Sequence, residues 1–523
     1  MTELLHQLLT ATARRLPDKP ALVHDRHGTL SFAALEAAVA RMAGALTTLG
    51  VGRHDRVGVY LPKQPETAIA FLAASRAGAV FVPLNPLLKP EQVRHIVRDC
   101  DVRLIVTSPE RAQLLRPALA DCPSLARFVL VGGSAGRAEA DADWSELLAR
   151  QDAPPPPPRI IDQDMAAILY TSGSTGKPKG VIISHRNIVA GAYSVAEYLE
   201  IQAADRLLAV LPFSFDYGLN QLTTCLLTGA TCVLMDYLLP RDVLRALEKH
   251  AITGLAAVPP LWSQLAPLEW PEKVRETLRY ITNSGGTMPD NTLRQLRDKL
   301  PATRPFLMYG LTEAFRSTYL PPDRIDERRG SIGKAIPNAE ILVVDAEGRP
   351  CGPNEPGELV HRGALVALGY WNDPERTRER FRPVPHPIPG IPTVELAVWS
   401  GDTVRRDEDG YLYFVGRNDG MIKTSGYRVS PEEVEEVVYA TGQVLQAAAV
   451  GAPHATLGQA IVVLVAPLKG GTPDLDAILT ACRERLPNFM VPQQILVREE
   501  LPHTPNGKID RKLLAAQCQD LYA

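Results

Sequence analysis

Apolar residues follow two alternating rhythms along the first hundred positions. In SFAALEAAVARMAGALTTLG (31–50) they recur every three or four residues, with Ser31 placed to cap the first turn and Gly50 to stop the last. RVGVYL (56–61), AVFVPLN (79–85) and VRLIVTS (102–108) are short β-branched runs, suited to strands. Between them, ETAIAFLAASRAG (66–78) and KPEQVRHIVRDC (89–100) return to helical spacing. This alternation predicts βαβ units, so the fold class is α/β, with a mostly parallel sheet covered by helices. No solenoid-length repeat interrupts it. Pro154 to Pro158 cannot continue a helix or a central strand and reads as a spacer.

The texture changes after GRNDG (416–420). SPEEVEEVVYATG (430–442) predicts a helix with Ser430 as N-cap, Pro431 at its first position, Glu433 closing a capping box and Gly442 as stop. IVVLVAPL (461–468), a helix through DLDAILTACRERLP (474–487) and QQILVREELP (493–502) complete a small α+β unit. The expected domains are 1–418, large and N-terminal, and 419–523, a smaller C-terminal unit.

Composition narrows the possibilities. Over 523 residues, Lys+Arg 56 against Asp+Glu 59 leaves a net charge of −3, too close to neutral for a charge-driven grip on nucleic acid. No apolar run approaches the ~20 residues that cross a bilayer, so no transmembrane segment is expected. The first twenty residues, interrupted by His6, Arg14 and Arg15, do not read as a signal peptide. The seven cysteines form no CxxC pair and are odd in number, as expected for reduced thiols in a cytoplasmic protein.

The strongest local signal runs from Tyr170 to Gly180, YTSGSTGKPKG, between two strand-like segments. Its glycines let backbone N–H groups turn toward an anion, its hydroxyls donate, and Lys177 and Lys179 add charge. It is a phosphate cradle in composition. It is not a Walker A loop, because two residues separate Gly173 from Gly176 and Pro178 stands where a magnesium-binding hydroxyl would be.

With LPFSFDYGL (211–219), NSGGTMP (283–289), MYGLTEA (308–314), GELVHRG (357–363), GYWN (369–372), the segment 400–431 and PHTPNGKIDRK (502–512), this loop resembles the ordered motif set of AMP-forming adenylating enzymes. These are acyl-CoA synthetases, peptide-synthetase adenylation domains and firefly-luciferase-like proteins. The chain looks most like the acyl-CoA-ligase-like proteins of bacterial exosortase systems. The resemblance implies a mobile C-terminal lid and a two-step reaction. A carboxylate attacks the α-phosphate of ATP to give acyl-AMP and pyrophosphate, and the acyl group then passes to the thiol of CoA or of a phosphopantetheinyl carrier protein.

The roles it implies follow the motifs. Thr171, Ser172, Gly173, Ser174, Thr175, Gly176 and Lys179 surround the β- and γ-phosphates, and Thr312 meets the α-phosphate. Glu313, with Thr171, holds Mg²⁺, an ion that suits carboxylate and phosphate oxygens. Gly285, Gly286 and Tyr309 sandwich adenine, Asp402 meets the ribose hydroxyls, and Arg417 adds a cation. Lys508 spans the reacting carboxylate and α-phosphate in the first step. A swing about Asp419 then withdraws it and presents Gly426 and Arg428 to the thiol. Relatives often carry an acid where this chain has Gly420, so the hinge is expected to be looser.

The acyl pocket is implied at Phe215, Asp216, Tyr217, Asn220, Ala257, Ile281, Asn283, Met308, Arg316 and Ser317. Unpaired polar groups are costly to bury, so this set suits a small or polar carboxylic acid better than a long fatty chain. Asp216 has two readings: it binds the ammonium of an amino-acid substrate, or it is a structural acid at a turn. His185 is expected to open a helix capped by Ser184 rather than act as a base. The leading reading is an acid–thiol ligase, with an amino-acid-activating enzyme as its alternative. A luciferase-like oxidoreductase and an inactive nucleotide-binding protein remain as other classes.

Overall fold

A computed structural model describes residues 3–133, 136–150, 158–171, 178–385, 390–417, 420–468, 471–502 and 509–522. Its strands form sheets of fourteen, eight and five members. In the eight-stranded sheet, Val80–Pro83, Arg56–Tyr60, Val102–Thr107 and Arg127–Leu130 pair in parallel, and the helices Pro65–Arg76 and Pro90–Asp99 provide crossovers. This is the predicted βαβ run. Ser31 caps Phe32–Thr48 as expected, its side chain accepting from the Ala34 N–H. Among the described residues, no helix is long and apolar enough to cross a membrane.

The fourteen-stranded sheet has two parts. Thr231–Leu234, Arg206–Ala209, Gly254–Ala257, Tyr280–Asn283 and Arg304–Tyr309 are parallel. From Thr318–Leu320 onward the chain turns back on itself, and every further pairing out to Ala339–Val344 is antiparallel. The parallel pattern read from the first hundred residues does not extend there: Ala339–Val344 with Pro356–Gly363 and Leu396–Arg406 with Leu412–Arg417 are hairpins, and the remaining pairs are antiparallel too. Asn283 and Tyr309 end the last two parallel strands. Open α/β sheets bind ligands beyond such carboxyl ends.

The C-terminal unit is built around the hairpin Val444–His454 and Gly458–Pro467. IVVLVAPL reads as unbroken apolar because both faces of its strand are covered. Ile461, Val463 and Val465 pack under Val434, Val438 and Ile478, while Val462 and Leu464 pack against Leu501 and Leu514. The helix Pro431–Tyr439 forms, but its predicted capping box does not. The Ser430 hydroxyl is buried without a partner among the described residues, and Glu433 instead accepts from the Gln92 side chain at 3.2 Å. Gln92 belongs to the helix Pro90–Asp99, so the expected capping group serves a contact between the two ends of the chain. Asp419, where the domain boundary is expected, lies outside the described residues. Gly420 has φ +63°, with open space where a side chain would be.

Candidate active site

Two strands, Met165–Thr171 and Lys179–Ser184, form an antiparallel hairpin whose connection carries the phosphate-cradle sequence. Ser172, Gly173, Ser174, Thr175 and Gly176 lie outside the described residues. Both flanks are described, and they meet Glu313. Lys179 Nζ donates to the Tyr370 hydroxyl at 2.7 Å and lies 3.4 Å from Glu313 Oε1, and Tyr370 donates to the same carboxylate oxygen at 2.6 Å. Glu313 is 3% exposed. Burial pushes its carboxyl pKa up, but Lys179, Arg428 and the Tyr370 hydroxyl outweigh that and hold it at about 2. Burial brings Lys179 down to about 8, against the pull of Glu313 and with help from Arg428. Lys179 thus faces a carboxylate here, not only the phosphates it was expected to grip.

Tyr370 is not among the expected site residues. Its motif, GYWN, is visible in the sequence, but its role depends on the short strand Gly369–Tyr370 pairing with Val181 and Ile182. That pairing places the ring 4.0 Å from Lys179 Nζ.

Glu313 Oε2 and Thr171 Oγ1 are both buried without a partner among the described residues. Two orphaned oxygens on the residues expected to hold Mg²⁺ fit a hard, oxygen-seeking cation. Among the described residues no His, Cys, Asp and Glu cluster forms a metal cage on its own.

The expected adenosine residues come together. Tyr309 donates to Asp402 Oδ2 at 2.5 Å, so the groups expected at adenine and ribose are tied to each other. Asp402 stands opposite Arg417 in the Leu396–Arg406 and Leu412–Arg417 pair; the Arg417 side chain is outside the described set. Gly285 and Gly286 line a broad cleft with Asn283, Tyr309 and Gly310, and Asn283 Nδ2 donates to the Gly286 carbonyl at 2.9 Å.

The C-terminal unit reaches this cleft. Gly426 has φ +82°, and a Cβ there would come within 2.9 Å of the Val258 side chain, so only glycine fits this approach. Its carbonyl lies 3.8 Å from the Cβ position of Gly285. Arg428, two residues on, is close enough to lower the pKa of both Glu313 and Lys179. Lys508 lies outside the described residues. Ile509 packs with the C-terminal core.

On the acyl side Asp216 is not free. Arg316 Nη1 donates to Asp216 Oδ2 at 2.9 Å, and the two are 2% and 4% exposed. Thr312 Oγ1, expected at the α-phosphate, is 3.4 Å from Asp216 Oδ1. Asp216 is the first residue of the helix Asp216–Thr228, not its cap, which is Phe215. Burial raises its pKa despite Arg316. The chain reaches Arg316 through Phe315, whose φ of +56° is unusual for a bulky residue and is held by its ring packing over Gly191. Met308 accepts from Tyr198 at 3.0 Å, and Ser317 pairs with His361 at 3.0 Å. Ala257 and Ile281 are buried in their strands.

His185 begins the helix His185–Tyr198, capped by Ser184 as expected. It is fully buried and accepts from the Leu5 N–H. Burial lowers its pKa to about 4, which suits a neutral structural acceptor.

Sequence and structure comparisons extend over the same ground. Residues 9–371 match the AMP-binding enzyme family, and 433–508 match the AMP-binding enzyme C-terminal domain. A linear gramicidin synthase of Brevibacillus parabrevis is 31% identical over 98% of the chain, but the chain spans only 6% of that protein. An indoleacetate–CoA ligase of Aromatoleum aromaticum is 30% identical over 95% of the chain and 93% of its own length. Among solved structures, o-succinylbenzoate CoA synthetase of Bacillus subtilis superposes with a TM-score of 0.84 at 26% identity, covering 97% of both chains.

Proposed function

The chain belongs to the AMP-binding enzyme family, and from that premise we propose that it is an acid–thiol ligase. In the first step an acid carboxylate attacks the α-phosphorus of ATP and pyrophosphate leaves. In the second, a thiol sulfur attacks the acyl carbon, AMP leaves, and a thioester forms. The first step sets a carboxylate against a polyphosphate, like charge against like, and the second expels AMP, a good leaving group, as the thiol gives up its proton, so catalysis is positioning and charge neutralisation.

Lys179 supplies the fixed cation of the nucleotide half, and Tyr370 holds it beside Glu313. Glu313 and Thr171 would hold Mg²⁺, which neutralises phosphate charge when bound. Tyr309 and Asp402, tied to each other through the tyrosine hydroxyl, would offer one ring face and one carboxylate to adenosine. Lys508 is assigned to the first transition state, with Asp419 as hinge. Domains are drawn at 1–418 and 419–523.

One observation carries the two-step reading: the Gly426–Arg428 segment is seated at the cleft beside Gly285. That seat would give the incoming thiol a surface of its own, apart from the residue assigned to the first step. The acceptor is CoA or a phosphopantetheinyl carrier protein, as the CoA-ligase and gramicidin-synthase relatives respectively suggest. The amino-acid alternative is weaker, because Arg316 already supplies the counter-charge that Asp216 would offer an ammonium. The seven buried cysteines, outside any disulfide, support a reducing, cytoplasmic setting.

The test is ATP–pyrophosphate exchange across fatty, aryl, dicarboxylic and amino acids, followed by thioester detection with CoA and with a loaded carrier protein. Exchange with no acid would sink the reading. Exchange without thioester from either thiol would leave adenylation and remove the second step.

A further inference from the structure

Arg316 is only half used. Nη1 donates to Asp216 Oδ2 and to the Phe315 carbonyl, at 2.9 and 3.0 Å. Nε and Nη2 are buried and have no partner among the described residues. In a planar guanidinium, Nε–H and one N–H of Nη2 point the same way, forming a side-on fork that matches two oxygens of a carboxylate. The guanidinium lies 4.5 Å over the ring of Tyr217, and Nη1 is 3.7 Å from the Cβ position of Gly310, a residue of the cleft.

A second orphaned donor lies on the same helix as Asp216. Asn220 Nδ2 is buried and unpaired among the described residues. Asn220, Tyr217, Tyr280 and Met308 line a small cavity of about 20 Å³, which Arg316 does not line; it has room for about one water and offers no channel for a long alkyl tail. Buried donors without acceptors cost stability, and clusters of them mark places where a ligand or ordered water completes the set.

Resting on the ligase reading, the geometry points to a short dicarboxylic acid as substrate: one carboxylate reacts, and the second is received by the Nε/Nη2 fork of Arg316. Asp216 is then a positioning residue. It fixes one edge of the guanidinium so that the other stays open. The pair also sets the sign of the pocket. Asp216 and Arg316 cancel, so an ammonium would face a cation whose acid is already taken, whereas a carboxylate finds two unmet donors. A plain alkyl group would leave those donors buried and unmet.

The experiment measures ATP–pyrophosphate exchange with four- and five-carbon dicarboxylic acids, their monomethyl esters, the monocarboxylic acids of equal length, and the matching amino acids. The wild-type enzyme is expected to favour diacid over monoester in kcat/KM by about 10²-fold or more, since a site built for hydrogen bonds rejects analogues that lack them. Arg316→Met, which keeps length and loses the fork, should bring that ratio close to unity, and Arg316→Lys should restore only part of it. If neither variant folds, the wild-type ratio alone decides. A wild-type preference for monoester, monoacid or amino acid overturns the inference and leaves the ligase reading standing, as does a ratio that Arg316→Met leaves unchanged. Exchange with no acid overturns both.

Discussion

The two halves of the candidate site treat buried charge differently. On the nucleotide side, Lys179, Tyr370 and Glu313 satisfy one another, Tyr309 satisfies Asp402, and the orphaned atoms are oxygens, Glu313 Oε2 and Thr171 Oγ1. On the acyl side, Asp216 and Arg316 form one pair, and the orphaned atoms are of both kinds: Arg316 Nε and Nη2 and Asn220 Nδ2 donate, while Asn283 Oδ1 and Gln221 Oε1 accept. Unmet acceptors suit a cation, and unmet donors suit an anion or a carbonyl. The nucleotide half is thus short of a cation, whereas the acyl half is short of partners for donors and acceptors together, although both are built from buried ion pairs.

The largest expected effect breaks the acyl pair. Asp216→Ala leaves Arg316 buried and uncompensated, which should cost ~3–5 kcal/mol of unfolding free energy in urea melts. Removing both charges with Asp216→Ala and Arg316→Met should recover much of that loss, because the isolated charge is what is costly. A single mutant with an unchanged melting curve would show that Arg316 does not depend on Asp216 for its counter-charge.

Next comes the nucleotide half. Lys508→Ala should suppress ATP–pyrophosphate exchange on the order of 10²–10³-fold, the scale of losing one charge aimed at a transition state. Thiolysis of supplied acyl-AMP should survive. Equal damage to both half-reactions would remove the alternation of Lys508 and Arg428.

A pH profile sharpens the contrast. Lys179 titrates at about 8, so kcat/KM for ATP should fall as pH rises through 8 and the cation is lost. Glu313, held at about 2, stays ionised over the whole range. Lys179→Arg should remove the alkaline limb, because arginine does not lose its proton there. Lys179's contribution to stability runs the other way. Between about 8 and its ordinary 10.5 the unfolded chain binds more protons at this site, so stability rises with pH in that window.

The smallest effect lies at the contact between the chain's two ends. Burial raises Glu433 to about 7, with Glu436 adding to the rise and Gln92 opposing it. The folded form therefore binds more protons between 4.5 and 7, and this contact weakens as pH rises through that window. Glu433→Gln keeps the hydrogen-bonding shape and should flatten the pH dependence of thiolysis by a few-fold at most.

Much of this was legible in the sequence wherever a local rule decided the outcome. Ser31 and Ser184 cap helices because capping needs only a hydroxyl three residues before an N–H. The phosphate loop joins two strands because β-branched residues flank its glycines. What stayed hidden depends on partners distant in sequence. Ser430 fails as a cap while Glu433 turns to Gln92, 341 positions away. Tyr370 matters because of a two-residue strand, too short to show any period. Asp216 and Arg316, 100 positions apart, gave no sign of being bonded, so the free ammonium ligand and the structural acid looked equally good. The antiparallel half of the large sheet was hidden for a related reason: alternation sets which face a residue occupies, not the direction of its neighbour.

All seven cysteines are buried and outside any disulfide. Burial raises Cys100 to about 12 and Cys482 to about 11, and a thiol reacts as its thiolate. A maleimide dye should therefore find little to label on the folded protein at neutral pH. Leu238 and Leu445, 93% and 61% exposed, lie on the two sides of the expected hinge. Cysteines placed there would carry a donor and an acceptor fluorophore without first stripping the natural ones. The distance between the two ends of the chain could then be followed by energy transfer through each turnover, in a protein whose own sulfur stays silent.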